Sequence, residues 1–304
     1  MQRPMLDADR RGDEPGPPAP GGPPPPREDA EGRAAPSWAP WTAPVALIAA
    51  LIMAALGGLV VDIPALALGA NLTSSHTPPG LAIANTFVQD VAFVLAAAYC
   101  AHLGGRVVRT WQFGLRPPAA GWRSAAKMIA LLLLAFVVLS AAWTAVFHPS
   151  EEKLLEKLGS DEGTLLLLLS AGLTCVVAPI CEEILFRGFI FAALRNWRGT
   201  LPAAVITGLL FGGVHVGSAP ALDLVPLAVL GFALCLLYQR TGSLYPCIVA
   251  HSLNNSIAFA ALENWGWQAP VLVVSALAGI WAIVYAAKRV GVIAPETPVV
   301  GPAP

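Results

Sequence analysis

The chain reads as a succession of long apolar segments parted by short polar ones, at approximately 43–69, 81–102, 124–147, 164–190, 201–217, 221–239, 243–262 and 269–287. Most approach or exceed the roughly 20 helical residues that cross a bilayer core. The pattern predicts an all-α, polytopic transmembrane helical bundle of about eight spans. Segment 201–217 is the shortest, and Pro64, Pro179 and Pro226 are expected to kink the helices that contain them.

Composition points the same way. Of 304 residues, 56% are hydrophobic and only 12% charged, with a mean hydropathy of +0.65. Soluble domains carry about 25% charged residues, so this chain lacks the polar side chains to cover a water-exposed surface, and lipid must cover it instead. A formal net charge of −1 with scattered basic residues excludes a nucleic-acid surface. Cys100, Cys175, Cys181, Cys235 and Cys247 are odd in number and lack CxxC spacing. They read as small buried hydrophobes rather than disulfides or a metal cluster.

Residues 1–40 hold eleven prolines, including the run Pro23 to Pro26, and no apolar periodicity. Such a cytoplasmic tail is expected to be disordered, with local polyproline II character, and it lacks the early hydrophobic stretch of a signal peptide. The expected organisation is this tail, an N-terminal transmembrane pair with a basic connection over 41–123, a membrane core over 124–290, and a flexible end over 291–304. Orientation follows the Lys/Arg bias of short loops. Arg106, Arg109, Arg116, Arg123 and Lys127 share one connection, and with eight spans Arg195, Arg198, Arg240, Lys288 and Arg289 fall on the same side. Both termini are therefore expected in the cytoplasm of a prokaryotic cell. Lys153 and Lys157 lie on the other side, within an acidic stretch from Glu151 to Glu162 that could form a short interfacial helix. Trp111, Trp122, Trp265 and Trp267 read as interface anchors.

Against this apolar background, ionisable groups cluster in three segments: CEEILFRG, LLFGGVH and HSLNNSIAF. Charged groups near mid-depth are costly and normally face a protein interior or a watery cavity. Glu183 and Arg187 are four apart on one helix face, where an ion pair neutralises both. Glu182 projects about 100° away. Position 186 is Phe, so Glu182 has no cation one turn on and is free for use as a general base. His215 follows Gly212-Gly213, which admit a close neighbour, and Phe211 one turn earlier can pack beneath its ring. At helical rise His215 would lie roughly 22 Å into its span. His251 and Asn255 share a face and can both donate to one developing oxyanion, while Asn254 points elsewhere and is suited to tying helices together.

A base, a second imidazole and two donors suit peptide-bond hydrolysis by activated water, in a pocket expected to open to the cytoplasm. The sequence contains neither an HExxH zinc helix nor a GxSxG elbow. Two histidines and two glutamates could also bind zinc, although no cofactor is favoured.

Three ordered motifs carry a family resemblance: Glu182-Glu183-x-x-x-Arg187, Phe211-x-x-x-His215 and His251-x-x-x-Asn255. Over roughly residues 125–262 the chain resembles the CAAX protease and bacteriocin-processing membrane peptidases, the CPBP or Abi family. The resemblance implies that Glu182 and His215 activate water, that His251 and Asn255 hold the oxyanion, and that Glu183 and Arg187 support the first helix. It implies a membrane-associated peptide or lipidated protein as substrate and a glutamate-type mechanism without catalytic metal. An inactive scaffold or immunity partner, or a transporter built on the same buried polar groups, stays open at this level.

Overall fold

The computed structural model describes residues 36, 38–72, 77–103, 108–150 and 157–293. The expected disordered tail, up to residue 35, and the end from residue 294 lie outside them, as does the stretch 151–156 of the expected interfacial helix. Eight long helices follow one another among the described residues: α1 (Thr42–Ala67), α2 (Pro79–His102), α3 (Gly121–Phe147), α4 (Thr164–Arg198), α5 (Thr200–Gly213), α6 (Leu224–Thr241), α7 (Tyr245–Leu262) and α8 (Gln268–Arg289). Among the described residues there is no sheet, only an isolated bridge between Val216 and Ala219. Six helices among the described residues are long and apolar enough to cross a membrane on their own. Helix α5, with 14 residues, is too short, and α7 carries His251, Ser252, Asn254, Asn255 and Ser256 on its 18 residues.

Large apolar side chains face outward around the bundle, among them Val60, Leu131, Leu165, Leu209 and Val274. In water such a belt would be an aggregation surface; in a bilayer it meets lipid, and helices satisfy their own backbone groups there. The interior is filled by small residues and phenylalanines, with Ala96, Ala97, Ala192, Ala203 and Ala204 beside Phe186, Phe189, Phe191 and Phe211.

Small residues set the closest contact. A Cβ on Gly212 would stand 2.6 Å from the Leu224 carbonyl oxygen, and one on Gly208 2.6 Å from that of Ala228. Helices α5 and α6 therefore meet backbone to backbone, as small-xxx-small pairs allow. Gly213 faces open space, so only the first of the two adjacent glycines supports the close approach.

The end of the bundle that carries Arg195, Arg198, Arg240, Lys288 and Arg289 is closed by a fastened loop. A 3₁₀ turn (Thr110–Phe113) leads into residues 114–119, which bond the α6–α7 connection. Leu244 N–H donates to the Gly114 carbonyl at 2.7 Å, Ala119 N–H to Thr241 at 3.0 Å, Ser243 Oγ to Arg116 at 2.5 Å and Arg116 Nε to Gly242 at 3.0 Å. Trp38, Phe113 and Phe189 pack together beneath it. Trp122 stacks on Tyr245 at this end, whereas Trp265, at the opposite end, packs on Phe259 and leaves the exposed position to Trp267.

Candidate active site

The site begins with a defect in α4. Its winding widens to π geometry over Leu173–Val177 and again over Ile184–Phe191, bracketing a short α-helical stretch, Ala178–Glu183. Pro179 sits in that stretch, and having no N–H it cannot bond the carbonyl of residue 175. Single-turn π segments of this kind cluster at functional sites. The carbonyls so released are taken by the neighbouring helix α7: Ser252 Oγ donates to Cys175 at 2.6 Å and Asn255 Nδ2 to Thr174 at 2.9 Å. These two bonds fix the rotation of α7 and turn His251 toward the paired glutamates.

Glu183 and Arg187 are fully buried and joined at 2.6 Å. The same carboxylate oxygen accepts from His251 Nδ1 at 2.9 Å. Arg187 donates its other terminal nitrogen to the Gly231 carbonyl of α6 at 3.1 Å and lies 4.5 Å over the Phe211 ring. One ion pair thus ties α4 to α5, α6 and α7. A desolvated pair is costly in itself and strongly destabilising to break, because the survivor is left as an uncompensated charge.

On the other face of His251, Nε2 is 3.9 Å from Glu182 Oε2, which has no hydrogen-bond partner. That gap is too long for a direct bond and short enough for one water to touch both groups. His215 turns Nδ1 to the Phe211 carbonyl at 2.7 Å. Phe211 stands between the two imidazoles, its ring centroid 5.1 Å from His215 and 5.6 Å from His251.

Glu182, His215, His251, Asn254 and Asn255 line one cavity of about 610 Å³, which also receives Phe211. Glu183 and Arg187 are packed behind it. Sequence reasoning missed Asp90, on α2: its carboxyl is buried, lines the same cavity, and has no hydrogen-bond partner. Its only signal in the sequence is that it is the one charged residue of an otherwise uncharged helix.

Three expectations are corrected. His215 is not carried on its helix: α5 ends at Gly213, and the imidazole caps that end from the following turn. Consecutive glycines weaken the last helical turn, and a donor there satisfies a terminal carbonyl. Asn255, rather than Asn254, ties helices together, whereas Asn254 donates its hydrogen bond to its neighbour Asn255, at 3.4 Å. Finally, the cavity does not run toward the basic ends. Its walls include Leu158, residues 216–219 and Leu262, at the ends remote from Arg198 and Arg240.

Among the described residues no group of three or more His, Cys, Asp and Glu side chains is arranged to hold a metal ion. All five cysteines are free and buried.

Residues 164–257 match the family described as Type II CAAX prenyl endopeptidase Rce1-like. This links α4 to α7, with the Glu182, His215 and His251 motifs, to the CAAX-type membrane peptidases of the broader CPBP/Abi superfamily. Three bacterial proteins are similar to this chain. "Putative membrane peptidase YdiL" of Bacillus subtilis is 37% identical over 81 residues, covering 27% of this chain and 32% of that protein. An uncharacterized protein of Mycoplasma capricolum is 25% identical over 186 residues, 58% of this chain and 54% of that one. The UPF0177 protein YxdF of Lactococcus lactis is 23% identical over 160 residues, 50% of this chain and 87% of that one. The chain thus spans about a third of the first relative and about half of the second. No solved structure gives a significant match.

Proposed function

We propose that this protein is an intramembrane endopeptidase that hydrolyses a peptide bond of a membrane-associated peptide or protein with a water activated by Glu182 and His215. The observation that carries the reading is the grouping of a buried carboxylate, Glu182, whose Oε2 has no hydrogen bond, with two imidazoles in one cavity whose motif-bearing walls are Rce1-like. A buried carboxylate oxygen without a hydrogen bond is a folding liability, and such liabilities concentrate where function requires them.

In this reading the water oxygen attacks the scissile carbonyl carbon while its proton passes to Glu182 or to the free Nε2 of His215. The developing oxyanion accepts hydrogen bonds from His251 Nε2 and from the second Nδ2 hydrogen of Asn255, whose first is bound to Thr174. His251 then acts with protons on both nitrogens, its charge flanked by Glu183 and Glu182. When the C–N bond breaks, the proton taken up by Glu182 or His215 goes to the leaving amine. Glu183 and Arg187 touch no substrate and act as positioning residues, and no step is routed through a metal.

The alternative favoured by a specific observation is a scaffold without turnover, because Asn255 and both imidazoles already serve structural bonds. The purified protein in detergent, offered a library of membrane-associated peptides with and without a chelator, separates the two. The peptidase reading expects cleavage by the parent that the chelator leaves intact and that Glu182→Gln abolishes. Equal cleavage by parent and variant rejects Glu182 as the base, and chelator-sensitive cleavage restores zinc.

A further inference from the structure

Helix lengths define which end of the cavity is open. With 14 residues α5 is about 21 Å long, short of the roughly 30 Å of a bilayer core, whereas α3 with 27 residues is about 40 Å long. Starting at Thr200 beside Arg198, α5 stops before it reaches the far boundary, and the connection 214–223 turns back within the depth that α3 and α4 traverse. A hollow results at the end remote from the basic residues.

The cavity walls on α7 and on the turn after α5 agree with this. The lining residues of α2 start at Thr86, in the half nearer Pro79, and reach Phe93, just past the middle of the helix; those of α7 run from His251 outward to Leu262, and the turn after α5 supplies residues 214–219. At this rim Val216 is 69% exposed, and Gly217, Ser218, Ala258 and Leu262 are exposed as well. At the basic end the opposite holds, because Phe113, Tyr238, Thr241, Ser243, Leu244 and Tyr245 are buried under the fastened loop. The basic end is the one that the Lys/Arg bias assigns to the cytoplasm.

We infer that the cavity is entered from the non-cytoplasmic side, so that the substrate is the extracytoplasmic, membrane-proximal segment of an anchored or exported polypeptide and not a lipidated C-terminus presented from the cytoplasm. The choice of substrate rests on the peptidase reading; the side of entry does not.

The five native cysteines are buried, so single added cysteines can be read against a low background. Ser218→Cys at the rim, Ala258→Cys on the wall and Trp197→Cys at the basic end are treated with a membrane-impermeant sulfonated maleimide in intact cells and in inverted membrane vesicles. The expected result is label at 218 and 258 in intact cells, with label at 197 only in inverted vesicles. Label at 218 and 258 confined to inverted vesicles, or a position 258 that labels from neither side, overturns the inference. A cleavable peptide from the library, added outside right-side-out vesicles and outside inverted ones, is expected to be cut only in the former. Cutting in the inverted vesicles alone rejects the side of entry, whereas no cutting in either, with 218 and 258 labelled from outside, rejects the peptidase reading and leaves the mouth where it is.

Discussion

His251 Nδ1 and Glu183 Oε1 lie 2.9 Å apart across 68 residues of sequence, and the oxygen that receives the imidazole is the one that receives Arg187. The catalytic candidate on α7 is therefore aimed by a carboxylate whose charge is already balanced within α4. Removing that charge should disturb both functions at once. Glu183→Gln is expected to destabilise the protein by about 3–5 kcal/mol, the cost of leaving a buried charge without its partner, and to lower turnover with it. Thermal unfolding in detergent checks the first effect. An unchanged melting temperature would show that the pair does not hold α4 in place.

Asn255 allows a structural role to be separated from a chemical one. Its bond to the Thr174 carbonyl is a single neutral hydrogen bond, worth about 1 kcal/mol. An oxyanion donor is worth about 10²–10³-fold in turnover. Asn255→Ala is expected to melt only slightly lower than the parent while kcat falls by about two orders of magnitude. Asn254→Ala, which lacks the interhelical bond, should keep most of its activity. A matched small loss in both variants would assign Asn255 to packing alone.

The approach of α5 to α6 leaves no room at Gly212. Gly212→Ala places a methyl group 2.6 Å from the Leu224 carbonyl, an atom of the backbone that cannot swing aside. Overpacking of this kind costs about 1–3 kcal/mol, and the forced separation would carry Phe211 and His215 with it. Gly213→Ala meets nothing within 4 Å and serves as the control, expected to match the parent in melting temperature.

What the sequence made legible was local. Apolar length located the eight long helices of the described residues, and the spacing of Glu183 and Arg187 gave an ion pair that the structure contains. The features that complete the cavity depend on distant partners. Nothing around Pro179 announces that Ser252 and Asn255 will take the carbonyls it helps release. Nor does anything in α2 announce that Asp90 will line the same cavity as Glu182. The end of α5 was misjudged because apolarity continues through Val214 and Val216 while the glycines before them end the helix. Hydropathy measures burial and is silent on where winding stops. The cavity runs away from the basic ends for a related reason: charge bias marks which ends are basic, but the unequal lengths of the helices determine which end is hollow.

The central claim is that water, activated at Glu182, is the nucleophile. Its most direct test is cleavage of a membrane-associated peptide in water enriched in oxygen-18, followed by mass spectrometry of the new C-terminus. The account predicts incorporation of the label from solvent into the new carboxyl group by the parent protein and no product from a folded Glu182→Gln variant; labelled product formed equally well by that variant would contradict it.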